Sequence, residues 1–533
     1  MSGPYRTLRR MITPMACLVA GGCLATALAG CGGGPAAGGV VSGGTFTFAS
    51  AADPGNLDPQ ASASGTLFQF AYFAYDRLLS IDPKGEIRTQ LAKSWQVDGK
   101  QVKLTMNKGV TCSDGSSFTA QTAADNINYI ADPKNASPYT GLMLPVGARA
   151  TADANTVNIT LPQDAPFVLN GLAGVPMVCA KGLADRKVLV NSTDGTGPYQ
   201  LAAATPNDQY TFTKRAGYTW GPDGATTAQP GLPDKVVVKV VPNESTVANL
   251  VLSGQINAAV VLGPDVKRLE AAKVFSADVP ALIGQMWYNQ APGRPSADRA
   301  VRLALTQAVD LAQLRQVLTS GKGEPATALT VTAPVACPGN SVSKAVPTHD
   351  LAAAKAALDA AGWVPGSDGI RAKGGKPLAL TFVYNTQSGP AASSAAELAV
   401  QQWGQLGVKV TLSGQDTTAS TNTLYTTGNW DIAWEPVNVY TPDQLVGFFV
   451  GSNPPQGNNF AHIDNPAYAG AAAQAMKTAG AAGCPQWLSA ESNLFRDADV
   501  VPFANEVAKY FGSGAKFSVT GVLLPLSIRM TAG

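Results

Sequence analysis

Histidine is nearly missing from this chain: His349 and His462 are the only two in 533 residues. A Ser-His-Asp hydrolase needs an imidazole beside an activated serine, and no G-x-S-x-G elbow accompanies either one. His349 stands at a helix start and His462 in an Asn/Pro loop, without the spacing of metal ligands. H-E-x-x-H, C-x-x-C, G-x-x-x-x-G-K-[ST] and G-x-G-x-x-G are all absent, so neither a metal nor a nucleotide cofactor is expected. Pattern alone says nothing of paired carboxylates, since any two of 36 acidic residues can meet in a fold. Charge is also scarce, at 14% of residues against roughly 25% in typical soluble proteins, with a formal net charge of +2. That leaves no field to hold nucleic acid. Beyond residue 30 there is no apolar run long enough to cross a bilayer. The reading that follows is a binding protein, not an enzyme.

What is present begins at the N-terminus. Arg6, Arg9 and Arg10 precede an apolar stretch over residues 11–30 that ends in small residues, the order of an export signal. A retained membrane helix is the competing reading, and the flanks of Arg9-Arg10 fit a twin-arginine signal poorly. Leu28-Ala29-Gly30-Cys31 resembles the lipobox of bacterial lipoproteins. That resemblance implies cleavage before Cys31, lipidation of its thiol and a membrane anchor on the extracytoplasmic face of the cell membrane. Residues 31–44, rich in Gly and Ala, are then expected to be a flexible tether reaching roughly 20 Å. Four cysteines remain after Cys17, Cys23 and Cys31: Cys112, Cys179, Cys337 and Cys484. Three pairings are open to them in an oxidising compartment, with free thiols the alternative. Cys112–Cys179 and Cys337–Cys484 are favoured because each pair stays inside one of the domains read below.

From Thr45 onward, strand and helix patterns alternate. The β-branched run KVVVKVV (235–241), a helix through Val247, Leu250 and Val251, and INAAVV (256–261) read as one βαβ unit. A second comprises LALTFVYN (378–385), a helix carrying Ala395, Leu398, Ala399 and Leu406, and VKVTLSG (408–414). The length exceeds what one core supports, so two α/β lobes are expected. Between residues about 85 and 190, TVNITL alternates Val157, Ile159 and Leu161, and TAQTAADNINYI predicts a short helix with Ala123, Ile127 and Ile130 inward, the texture of a smaller α+β insertion within the first lobe. Residues 349–363 predict a helix capped by Asp350 or Thr348 and closed by Gly362, with Trp363 folded back. Residues 296–318 predict a further helix with Val301, Leu305, Ala308 and Val309 on one stripe.

Several stretches, in order, resemble the extracellular solute-binding proteins of ABC importers, in the peptide/nickel-binding family 5. They are NLDPQ with AYDRLL (74–79), GVTCSDGSSFTAQTAADNINYI (109–130), GTGPYQL (195–201), MWYNQAPGRPSADRAVRLALTQAVDL (286–311), HDLAAAKAALDAAGW (349–363), NWDIAWEPVNVYTPD (429–443) and NPAY (465–468). The resemblance implies a periplasmic-binding-protein-like α/β fold of class II. It divides the chain into a signal at 1–30, a tether at 31–44, a lobe 1 core at 45–85 and 191–284, and an inserted subdomain at 86–190. Lobe 2 then covers 285–505, and 506–533 return to lobe 1. It implies a monomer that closes over a peptide or other small solute and hands it to ABC permease subunits. Ligand contacts are expected from WYN (Trp287, Tyr288, Asn289) and WEPVNVY (Trp434, Glu435, Asn438, Tyr440). Packing of the hinge by the first trio, and of the core by Trp434, is the competing reading. Peptide-binding relatives tend to place at the position of Tyr440 an aspartate that pairs with the ligand's ammonium; tyrosine there is uncharged. Either Glu435 substitutes for that aspartate, or the ligand is not a peptide with a free N-terminus. Few histidines argue against nickel. A lipoprotein that keeps the fold as a scaffold in envelope assembly or sensing is the second functional reading.

Overall fold

The computed structural model describes residues 39–532 other than 63, 387 and 388. The expected signal, Cys31 and the first part of the expected tether therefore lie outside the described residues. From Val40 to the C-terminus the chain is one compact unit. Among the described residues no helix is long and apolar enough to cross a membrane.

A ten-stranded sheet runs through this unit in the order Lys409–Gln415, Ala379–Asn385, Ile432–Trp434, Phe275–Tyr288, Val500–Gly512, Ala258–Val261, Thr45–Ser50, Lys235–Val240, Gln209–Lys214, Tyr199–Thr205. Both βαβ units are present. In the second, Ala379–Asn385 and Lys409–Gln415 pair directly and in parallel, with helix Pro390–Leu406 packing Ala395 and Ala399 against them. In the first, Lys235–Val240 and Ala258–Val261 do not touch: Thr45–Ser50 lies between them, parallel to both. The sequence-adjacent strands are separated because the N-terminal strand fills the position that the crossover skips. Val236 and Val238 are fully buried. Val237 on the other face is only partly covered, so this strand alternates more than its apolar run suggests.

Each end of the sheet carries its own helices and cores, which makes two lobes. What joins them is a pair of long antiparallel strands, Phe275–Tyr288 and Val500–Gly512. Their outer parts pair from Phe275 with Gly512 in lobe 1 to Trp287 with Val500 in lobe 2, and the register slips twice between Leu282 and Gln285. A bulge bends a strand and breaks its ladder locally. Gly284 sits at that slip because a Cβ there would stand 2.7 Å from the Cβ of Ala504 and from the Phe503 ring.

The insertion is a separate four-stranded antiparallel sheet (Ala92–Asp98, Gln101–Met106, Thr156–Thr160, Arg149–Asp153) covered by helix Ala120–Ala131. Ala123, Ile127, Ile130, Val157 and Ile159 are its core, as their spacing predicts. Disulfides join Cys112 to Cys179 and Cys337 to Cys484, across sequence separations of 67 and 147 residues. Closing loops of those lengths restricts the unfolded chain by roughly 4 and 5 kcal/mol in the chain-entropy account.

Two expectations need correction. The helix read as continuous over 296–318 is two, Arg299–Ala308 and Leu311–Leu318, because Asp310 turns its carboxylate onto the N–H groups of Ala312 and Gln313 and starts a new helix. The expected free tether does not extend to Gly44. Val41 N–H donates to the Met530 carbonyl, Gly43 N–H to the Leu232 carbonyl, and Ser42 Oγ accepts from Gly231 N–H, so residues 40–44 are bound to the body.

Candidate functional site

Parallel strands in an open α/β sheet leave a crevice beyond their carboxyl ends where neighbouring strands diverge. Here the crevice opens past Thr45–Ser50, with Val241-Pro242 following one neighbour and Val260 near the end of the other. It holds a cavity of about 580 Å³. Lobe 1 contributes Phe48, Phe68, Gln69 and Tyr510 to its wall, and the insertion contributes Tyr139, Leu142 and Met143. From lobe 2 come Thr332 and the loop after strand Ile432–Trp434, with Asn438, Tyr440 and Gln444. The cavity is thus faced by both lobes and by the insertion.

Most of its polar atoms are already engaged. Gln69 exchanges two hydrogen bonds with the Leu523 backbone. Tyr510 donates to the Gly521 carbonyl at 3.1 Å. Glu244, the one ionisable carboxylate in the wall, accepts from Leu262 and Gly263 N–H groups at 3.0 and 2.6 Å. Two tyrosine hydroxyls are different. Tyr139 is buried and its hydroxyl has no partner among the described residues. Burial pushes its pKa up, and pushes that of Tyr440 up to about 12, so both are neutral donors at any physiological pH. The rest of the wall mixes aromatic and aliphatic side chains with the polar ones of Ser50, Thr66, Thr332, Asn438 and Gln444, and a solute with apolar surface and acceptor groups is what it can receive.

The structure brings together two of the seven residues expected at the ligand, Asn438 and Tyr440. Asn438 is also a structural clamp: its Oδ1 accepts from Leu282 N–H at 3.0 Å and its Nδ2 donates to the Leu282 carbonyl at 2.9 Å. It therefore pins the loop to the long strand at the register slip. The other five lie away from the cavity. Trp287 is buried between Phe449 and Phe460, its indole donating to the Glu435 carbonyl at 2.8 Å. Tyr288 packs in lobe 2 with its hydroxyl 3.0 Å from Thr306 Oγ1. Asn289 donates to the Trp430 carbonyl at 2.9 Å. Trp434 packs against Phe382 and Phe503. Burial raises the pKa of Glu435, and it is not among the residues of the cavity wall.

Sequence reading missed Tyr139, Gln69 and Gln444. Gln444 carried a signal: Thr441-Pro442-Asp443-Gln444 has the spacing of a capping box, and Gln444 Oε1 accepts from the Tyr440 and Thr441 N–H groups. Its Nε2 reaches across the cleft to the Leu142 carbonyl at 3.1 Å. Tyr139 and Gln69 carried none, being single residues in a loop and on a helix. Neither histidine lines the cavity. Among the described residues no group of three or more His, Cys, Asp or Glu side chains could hold a metal ion.

Comparison with known proteins places this architecture. Residues 86–457 match the family described as bacterial extracellular solute-binding proteins, family 5. Protein XP55 of Streptomyces lividans is 29% identical over 327 residues, 58% of this chain and 56% of XP55, so that match spans little more than half its length. The periplasmic murein peptide-binding protein MppA of Escherichia coli is 26% identical over 485 residues, covering 84% of this chain and 85% of MppA. The unliganded open form of an MppA murein tripeptide binding protein superposes with a TM-score of 0.72 at 22% identity, over 94% of this chain and 99% of that one. A substrate binding protein from Microbacterium hydrocarbonoxydans, complexed with 4-hydroxybenzoate hydrazide, gives 0.72 at 23% identity, over 91% and 99%. With two lobes on a two-strand connection, a cavity between them and a family match over most of its length, the chain belongs to the bacterial extracellular solute-binding proteins of family 5.

Proposed function

We propose that this chain is the lipid-anchored, extracytoplasmic receptor of an ABC importer and captures oligopeptide-like solutes whose amino end is blocked or uncharged. The observation that carries the reading is the cavity of about 580 Å³ at the carboxyl ends of the parallel strands, faced by both lobes and lined by Tyr139 and Tyr440. Family membership supports a solute-binding role without catalysis, and a permease as partner. The names of two relatives, a murein peptide-binding protein and a glutathione-binding protein, support a peptidic ligand. Against a free ammonium stands the wall's electrostatics. Its single carboxylate, Glu244, already holds two backbone N–H groups, and Tyr440 offers no charge. An ammonium buried there without its own counter-ion would cost several kcal/mol. The acylated Cys31 would keep the receptor near its permease and raise the local concentration of captured solute.

One preparation tests both halves. The protein is expressed with its own N-terminus, fractionated, and the purified material is heated with tripeptides to pentapeptides carrying free or acetylated N-termini. Recovery in the membrane fraction is expected, as is a higher unfolding temperature with the acetylated series. Tyr440→Phe should weaken that binding about fivefold, the worth of one net hydrogen bond. A protein found wholly in the soluble fraction defeats the anchor. No stabilisation by any peptide, or stabilisation by the free series alone, defeats the assigned ligand class.

A further inference from the structure

Lobe 1 holds a second cavity, of about 500 Å³, that shares no lining residue with the interlobe crevice. It lies between the segment 72–90, the loop 218–229 and the C-terminal segment 524–527. Its wall is largely flat and apolar, through Tyr72, Ile81, Pro83, Pro198, Leu524 and Leu526.

Arg77 is the unusual member of that wall. It is 6% exposed, its guanidinium carbon stands 3.7 Å over the Tyr72 ring, and its Nε and Nη1 have no hydrogen-bond partner among the described residues. Each acid in the wall has donors or a cation of its own. Asp76 is ringed by four donors: Gln90 Nε2 at 2.7 Å and Tyr218 Oη at 2.9 Å on one oxygen, Trp220 Nε1 at 2.9 Å and Thr196 Oγ1 at 3.0 Å on the other. Asp82 is held by Arg88 at 2.7 Å, and Asp223 lies 3.8 Å from the same guanidinium. The acids of the cavity thus have their donors, whereas the buried guanidinium, attracted through space by the Asp76 carboxylate, has no hydrogen-bond acceptor at Nε or Nη1 among the described residues. A guanidinium stacked on an aromatic ring presents its edge as a rigid fork, which fits the two oxygens of a carboxylate.

We propose that this cavity is a binding site for a small aromatic or flat apolar carboxylate, with the carboxylate on the edge of Arg77 and the apolar body against Tyr72 and the proline and leucine walls. No lining segment comes from lobe 2, so binding here needs no closure.

The test is fluorine NMR titration of the full chain with 4-fluorobenzoate, alongside 4-fluorobenzamide and 4-fluorobenzylamine as neutral and cationic isosteres. Benzoate is expected to bind at least tenfold more tightly than either. Arg77→Met should weaken it at least tenfold. Ala225→Trp, which fills the cavity from a turn in its wall, should do the same and serves as the deciding variant should Arg77→Met not fold. Benzoate that does not bind, benzamide that binds equally well, or benzoate affinity unchanged in the folded variants overturns the assignment.

Discussion

Glu491 is buried in lobe 2, where its carboxylate accepts from Ser341 Oγ at 2.5 Å and from Leu329 N–H at 3.2 Å. Those bonds favour the charged form, but the loss of water outweighs them and pushes its pKa up to about 7 from an ordinary 4.5. The folded state therefore keeps a proton that the unfolded chain has lost between those values, so stability falls as pH rises from about 4.5 to 7. The shift corresponds to about 3 kcal/mol. Glu491→Gln keeps an acceptor oxygen and removes the titration. Urea unfolding of this variant should show a shallower decline from pH 5 to pH 8, with stability at pH 8 raised by about 2 to 3 kcal/mol over the parent. Asp443, raised to about 6 by burial, leaves part of the slope in place. An unaltered slope in the variant would show that Glu491 does not titrate there. At this scale the sequence was least legible. Trp287 and Tyr288 point into two different cores on opposite faces of one strand, and where both faces are buried no alternation tells which residue fronts a ligand. Asn438 and Tyr440, which line the cavity, were singled out because a family resemblance marked their loop. Tyr139 reaches the cavity only through the tertiary placement of the insertion.

Elements were far more legible, because their signals are local. Helix Leu351–Ala360 takes Asp350 as its cap, and Gly362 takes the left-handed turn that its position after the helix demands. Where local reading failed, a polar side chain had overridden hydrophobic periodicity, as at Asp310, or a strand distant in sequence had entered a pairing, as with Thr45–Ser50. Glycines divide along the same line. Gly404 lies in helix Pro390–Leu406, where an added Cβ would meet nothing within 4 Å, so its only effect is the freedom it gives the unfolded chain. Gly284 lies at the register slip of the connecting strands, where a Cβ would press on Ala504 and Phe503. The two alanine substitutions should move urea midpoints in opposite directions. Gly404→Ala is expected to stabilise by about 0.5 to 1 kcal/mol, and Gly284→Ala to destabilise by about 1 to 3 kcal/mol through overpacking. Equal and small effects at both sites would mean that the strands relax around position 284 without cost.

At the scale of the whole molecule, the two strands Phe275–Tyr288 and Val500–Gly512, with their slip at Leu282 to Gln285, are the connection about which the proposed receptor would close, and contacts across the crevice would decide where that rotation rests. One such contact is explicit, the hydrogen bond from Gln444 Nε2 in lobe 2 to the Leu142 carbonyl in the insertion. In such a receptor a ligand filling the cavity between them would add interactions available only when the walls are near, and so would shift the population towards the closed arrangement by its differential affinity. Gln444→Ala removes the cross-cleft bond and the acceptor that holds the Tyr440 and Thr441 N–H groups. Losing one net hydrogen bond, about 1 kcal/mol, moves an open-to-closed ratio roughly fivefold. Small-angle scattering reads this directly. The parent should contract when its ligand is added, whereas ligand-free Gln444→Ala should have the larger radius of gyration and need more ligand to reach the same contracted form. A radius that is the same for parent and variant, with and without ligand, would mean the lobes are fixed and the crevice is loaded without movement.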